Sequence, residues 1–319
     1  MIYYYGIGQR EHVDLTPQFL ISYYAMKSTK KVWDTQKNWM LDSGGFTIGM
    51  REGTKNHPLN KIVEYPWSKD DYINFVNIWK PQVAWTMDYA VKVANTPDVL
   101  HTKQVRTIEN TIYLKDRIQA PTALGAVLQG WENEDYLKHL DMYKEAGVIQ
   151  PWFAIGFSLA RLSLPTTLST IIDIRKSLPA WVKFHGFSVK LATLNKYPRL
   201  TKFLYSADSA AWIANGAFHI PGSIQAGALN NFVEKMESKL AVLNAAKINL
   251  DDGFIVDGKP IPPSITSQSQ TIIQPLQNPK PIDNIKSTQN ASQPQQDITK
   301  DNTKQNTHTP PSIYKWIQK

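Results

Sequence analysis

Cysteine is missing altogether. Its absence excludes disulfides, thiolate nucleophiles and cysteine-ligated zinc together, and it agrees with a reducing compartment. The seven histidines, at positions 12, 57, 101, 139, 185, 219 and 308, show no metal-binding spacing. No apolar run approaches the roughly 18 residues needed to cross a bilayer, and residues 1–8 lack the basic-then-apolar pattern of a secretory leader. A cytoplasmic protein is expected, with no membrane contact, no metal and no cofactor. Acidic residues are in deficit: 27 Asp and Glu stand against 35 Lys and Arg, a net charge of +8 with a pI near 9.3. Between positions 182 and 207 no acid occurs, while Lys183, Lys190, Lys196, Arg199 and Lys202 do. A basic excess favours a polyanionic partner, since each phosphate neutralised releases counterions. The same residues also serve a plain solvated face.

What is present suffices for a large core: 42% of 319 residues are hydrophobic and 11% aromatic. Rings at that frequency fill a core or stack on bases, and composition does not separate the two uses. From about residue 260 onward Gln, Asn, Ser, Thr and Pro dominate and apolar periodicity ends. The expectation is therefore a folded domain over 1–259 and a disordered tail over 260–319. Just before the tail, Asp251-Asp252-Gly253 and Asp257-Gly258 read as turns of a small hairpin.

Eight short β-rich runs, at 2–7, 39–41, 83–87, 124–128, 152–155, 182–184, 203–207 and 217–220, recur at strand–helix intervals. Amphipathic stretches at 70–79, 133–146 and 168–177 separate several of them, and 226–247 reads as a closing helix. An open flavodoxin-like sheet and a closed (β/α)8 TIM barrel both alternate in this way. The polar residues decide for the barrel. Asp42, Asp88, Gln129, Gly156, Gly186 and Asp208 each fall at the end of a different run, and in a barrel those ends converge on one face.

The run Met40-Leu41-Asp42-Ser43-Gly44-Gly45-Phe46 sets a carboxylate at a strand end, followed by glycines that let backbone approach a ligand. Alone it is a turn or a helix cap. Likewise Asp88 alone reads as an N-cap, Gln129 as a loop residue and His185 as a packed strand-end histidine. In order along the chain, however, these segments resemble the tRNA-guanine transglycosylase superfamily. Asp42-Ser43-Gly44-Gly45-Phe46 is similar to its signature, and Trp85-Thr86-Met87-Asp88-Tyr89 supplies the second Asp. Val127-Leu128-Gln129-Gly130 resembles its Gln-Gly segment and Ala154-Ile155-Gly156-Phe157-Ser158 its base-pocket strand. Phe184-His185-Gly186-Phe187-Ser188 sits at its glycine turn, and Tyr205-Ser206-Ala207-Asp208-Ser209 at its nucleophile. The resemblance spans roughly 3–220, and only the first motif is close to specific.

The resemblance implies a base-exchange glycosyltransferase. Asp208 would be the nucleophile and Asp42 the acid/base; Asp88, Gln129 and Gly156, with Ser43, Gly44 and Gly186, would hold the base. The polymer would be gripped by Lys183, Lys190, Lys196, Arg199 and Lys202, with Arg51, Lys55 and Lys61 as a second contact. Superfamily members acting on tRNA carry a three-Cys, one-His zinc site, and this chain has no cysteine. That departure makes it more similar to the DNA-acting, DpdA-like branch, which inserts 7-deazaguanines into phage or bacterial DNA. The expected partners are DNA in preference to tRNA, and a 7-deazaguanine base such as 7-cyano-7-deazaguanine. The alternatives are exchange on tRNA, a non-catalytic nucleic-acid-binding barrel and an unrelated barrel hydrolase. Three carboxylates at one mouth argue against the non-catalytic barrel, because burying them unused is costly.

Overall fold

Short apolar runs separated by amphipathic stretches bury both strand faces when helices pack outside and side chains fill the inside. The computed structural model describes residues 1–29, 37–156, 164–214, 222–245, 255–256 and 259–260, and it has this arrangement. Strands β1 (Ile2–Ile7), β2 (Phe19–Ser22), β3 (Trp39–Asp42), β4 (Val83–Trp85), β5 (Ala123–Leu128), β6 (Trp152–Ile155), β7 (Lys183–Gly186) and β8 (Ser206–Ser209) form a closed parallel barrel in chain order. A 3-10 turn, Arg10–Leu15, follows β1. Helices then follow: α1 (Tyr23–Met26) after β2, α2 (Gly45–Gly49) and α3 (Lys69–Trp79) after β3, α4 (Pro97–Lys115) after β4, α5 (Asn133–Glu145) after β5 and α6 (Leu164–Ser177) after β6. Helices α7 (Leu191–Lys196) and α8 (Leu200–Phe203) follow β7, and α9 (Ala211–Ala214) and α10 (Gly222–Ala245) follow β8. The chain divides into two compact units, Met1–Asp252 and Gly253–Lys319. In the second, β9 (Ile255–Val256) pairs antiparallel with β10 (Lys259–Pro260).

Alternation along each strand sorts the side chains. Tyr4, Leu20, Met40, Val83, Trp85, Val127, Trp152 and Ala154 pack together inside the barrel. Ile21, Leu41 and Ala84 belong instead to the layer shared with Tyr72, Val76 and Leu114 of the outer helices. Two residues beyond an inward Leu20, Met40, Val127 or Ala154 come Ser22, Asp42, Gln129 and Gly156, so the period of two that builds the core aims these groups into the mouth. The same register brings His185 opposite Ala154 and Ser206, and Asp208 opposite the inward Tyr4. Trp85 crosses the barrel at Gly125, its partner on β5, where an added Cβ would stand 3.1 Å from the indole Cδ2.

The expected (β/α)8 barrel is present, but one strand differs. Phe19–Ser22 is β2, and sequence reading passed it over because Ser22 both ends the strand and caps α1, leaving no breaker between them. The run at 217–220 lies outside the described residues. The expected strand at 203–207 begins late, at Ser206, because Phe203 closes α8. Asp208 consequently sits within β8 and not after it. Between β4 and β5 no amphipathic stretch stands out in the sequence; α4 fills that place, with Thr96 and not Asp88 at its N-cap.

Candidate active site

Asp42 ends β3 beside Ser22, its partner in register. Gly44, at φ 92°, turns the chain in the left-handed region that glycine favours, so its N–H donates back to Asp42 Oδ2 at 3.0 Å. Burial raises the Asp42 carboxyl from the usual 3.8 to about 7, with the charge of Asp88 adding to the effect and that of Asp208 after it; the Gly44 N–H and Ser22 pull the other way. A carboxyl that gains and loses a proton near neutrality can serve as general acid and general base in turn.

Asp88, buried, accepts from Ser43 Oγ at 3.1 Å and from the Gln129 amide, while Tyr65 donates to its backbone carbonyl at 2.6 Å. Burial lifts it to about 6 against those hydrogen bonds. Gln129 Oε1 accepts from Val91 N at 3.2 Å, so both ends of the amide are fixed. The missing side chains at two glycines make this packing possible. A Cβ on Gly45 would meet the Asp88 carbonyl at 2.6 Å, and one on Gly156 would meet the Gln129 amide at 2.7–2.8 Å. These glycines thus admit the Asp88 carbonyl and the Gln129 amide against the strand ends.

Helix α4 holds the assembly from behind with a buried polar face. Thr107 accepts from Tyr89 N at 3.1 Å, Asn110 donates to Met87 O at 2.6 Å and Gln104 donates to Gln129 O at 2.8 Å. His139 Nδ1 accepts from Gln129 N at 2.8 Å; its proton is therefore on Nε2, donating to Gln104 O at 3.2 Å. Burial lowers that imidazole to about 3 and keeps it neutral. Lys103, fully buried, donates to Glu52 at 2.8 Å, Ala90 O at 2.7 Å and Asn95 at 2.9 Å, joining the loops after β3 and β4. Sequence reading missed this face because residues that hold backbone are polar and leave no apolar period.

Across the mouth, Asp208 Oδ1 accepts from His185 Nε2 at 3.1 Å and from Ser188 N at 3.3 Å, the latter presented by a residue at φ 60°. His185 Nδ1 lies 2.8 Å from Ser206 Oγ, which donates to it when Nε2 carries the proton for Asp208. Trp85, at a centroid distance of 5.1 Å, Phe187 at 5.0 Å and Tyr4 at 6.2 Å wall the imidazole in. Among the described residues both of these donors meet the carboxylate at Oδ1.

The structure thus gathers Asp42, Ser43, Gly44, Asp88, Gln129, Gly156 and Asp208 at one end of the barrel. Other expected residues lie elsewhere. Gly186 points outward, where a Cβ would meet Val189 at 2.8 Å and Leu204 at 2.9 Å, so its smallness serves packing. The basic run is divided. Lys183 begins β7 and lies 5.0 Å from the rings of both Trp152 and Tyr205 at the opposite end. The charge of exposed Lys202 reaches the Met1 amine, also at that end. Lys190 caps the start of α7, after the mouth end of β7, and Lys196 and Arg199 fall on the return toward β8. A strand–helix–strand unit carries any run of that length from one end of a barrel to the other, so the five cations make no single patch at the mouth. Among the described residues no cluster of three or more His, Asp or Glu is placed to hold a metal ion, and no helix is long and apolar enough to cross a membrane.

Residues 14–246 match the protein family described as DpdA, DeoxyPurine in DNA protein A. No curated protein matches the chain.

Proposed function

The chain belongs to the DpdA family, a DNA-guanine transglycosylase-like family, and on that premise we propose that it replaces a guanine in DNA with a 7-deazaguanine base through a glycosyl-enzyme on Asp208. The observation that carries the reading is the pairing of two unlike carboxyl groups at one mouth: Asp42 held near neutrality and Asp208 oriented through one oxygen.

In this mechanism Oδ2 of Asp208 attacks C1′ of the deoxyribose as the C1′–N9 bond breaks, and the departing guanine takes the proton of Asp42. The incoming 7-deazaguanine gives its N9 proton to the Asp42 carboxylate and attacks C1′, expelling Asp208. Two inversions preserve the β-configuration. His185 and Ser188 hold Oδ1 so that Oδ2 faces the sugar. Asp88 and the Gln129 amide, already fixed by Ser43 and Val91, read the base edge, and Gly156 leaves room for Gln129 beside it. A guanine within a duplex reaches such a site only after leaving the stack.

Incubation of the protein with labelled 7-cyano-7-deazaguanine and either DNA or tRNA, followed by nucleoside analysis, tests the reading. Label is expected in DNA deoxynucleosides. Label confined to tRNA would overturn the choice of polymer, and label in neither would overturn the exchange.

A further inference from the structure

Beside the Asp42 loop lie two aromatic rings and two cations that the exchange chemistry leaves unused. Tyr24 and Trp67 stand with ring centroids 6.0 Å apart. Lys27 Nζ is 5.8 Å from the Tyr24 ring and 5.7 Å from the Trp67 ring. From the loop after α2, Arg51 Cζ is 5.9 Å from the Tyr24 ring, and its guanidinium donates to the Tyr24 hydroxyl at 3.5 Å. The rings abut the mouth itself: a Cβ on Gly44 would meet Tyr24 Cβ at 3.2 Å and Trp67 at 3.5 Å, two residues from Asp42.

Charge and exposure say what this surface fits. Tyr24 is 36% exposed. Among the described residues no carboxylate pairs with Lys27 or Arg51. Two acids of the neighbouring loops are engaged elsewhere: Glu52 is buried against Lys103, and Glu64 meets Arg106 and Tyr89. Contacts between such cations and exposed rings are weak, so a phosphate displaces them readily. Rings interleaved with cations are the surface that a single nucleic-acid strand requires, because bases stack and phosphates pair at alternate positions.

We propose that Tyr24, Lys27 and Arg51 form the docking surface for the DNA strand leaving the site. The two cations hold phosphates beside the exchanged nucleotide, and the Tyr24 ring, backed by Trp67, receives the neighbouring base. A base beside an extruded nucleotide loses one stacking face, and the ring restores it. The inference rests on DNA being the polymer. It relocates the grip from the divided basic run to the rim that carries Asp42.

The test uses the full chain and a fluorescent single-stranded DNA of alternating guanine and 2-aminopurine, with binding followed by anisotropy across a salt series. Lys27→Ala/Arg51→Ala is expected to flatten the log–log salt slope by about 1.4, two contacts of about 0.7 each. Tyr24→Leu should lose the quenching of 2-aminopurine that the wild type and Tyr24→Phe display. Should the double variant fail to fold, Lys27→Gln and Arg51→Gln singly should each flatten the slope by about 0.7. An unchanged slope, or quenching retained in Tyr24→Leu, overturns the docking surface while leaving base exchange intact. Wild-type protein that binds this DNA yet exchanges bases only in tRNA overturns the polymer assignment instead.

Discussion

Asp42 ends β3 and feels the charge of Asp88, whereas Asp208 accepts from an imidazole and a backbone N–H. The first environment favours the protonated acid, and the second orients a carboxyl group through one oxygen. For Asp208 the expected consequence is all-or-none. Asp208→Asn keeps shape and donors but not the nucleophilic charge, so exchange and any covalent adduct seen by mass spectrometry should vanish while cooperative unfolding persists. Turnover like that of the wild type would remove Asp208 from the mechanism. For Asp42 the consequence is graded and depends on pH. Its folded pKa is about 7 against an ordinary 3.8. Between those values the folded chain keeps a proton that the unfolded chain has lost, and stability falls as pH rises through the window. Asp42→Asn lifts that penalty. Relative to wild type, the variant should gain thermal stability more at pH 8 than at pH 4, while turnover falls by about 10²–10⁴-fold and DNA affinity is kept. Thermal melts at the two pH values, beside single-turnover rates, check both halves; equal loss of binding and turnover would make Asp42 merely positional.

At the scale of elements, legibility followed apolar pattern. Strands β3, β5 and β6 and helices α3 and α5 showed themselves because their buried faces are apolar, and the ends of those strands led to Asp42, Gln129 and Gly156. Helix α4 was invisible for the opposite reason: Lys103, Gln104, Thr107, Asn110 and Thr111 are buried, and all are polar. Their partners are loop backbone and side chains that only the folded chain brings near. His185 was legible as a residue but not as a partner of Asp208, because 23 positions separate them and only the β7–β8 register joins them. The α4 face carries its own prediction. Lys103→Met leaves Glu52, Ala90 O and Asn95 without their buried donor and should destabilise the protein by about 3–5 kcal/mol in urea unfolding. Replacing both charges, as Lys103→Met/Glu52→Leu, should recover most of that loss, since an apolar pair carries no desolvation penalty. A double variant as unstable as the single one would show that the carbonyl and Asn95 contacts, not the ion pair, are what Lys103 supplies.

Over the whole molecule, the barrel closes well before the stretch rich in Gln, Asn, Ser, Thr and Pro begins. Strand β8 pairs back onto β1, so the barrel itself has no open edge. Helix α10 then crosses the start of the chain: the Met1 amine donates to Asn244 at 3.1 Å and the Tyr5 hydroxyl to Glu237 at 2.6 Å, with Met236, Leu240 and Leu243 buried. Each strand end that bears a candidate site residue lies in the Met1–Asp252 unit. Residues 260–319, rich in Gln, Asn, Ser, Thr and Pro, offer little apolar surface to offset the entropy of ordering them. Deleting 261–319 should therefore leave a single cooperative thermal transition at the midpoint of the full chain, with unchanged exchange on short oligonucleotides. Calorimetry and single-turnover rates on the two lengths make the comparison. A lower or broader transition would mean that the tail contributes to the barrel's stability. An intact transition with slower exchange would assign the tail to the polymer: its Lys280, Lys286, Lys300 and Lys304 would then add to the attraction that Lys27 and Arg51 supply at the rim, and the deficit should grow as salt is lowered.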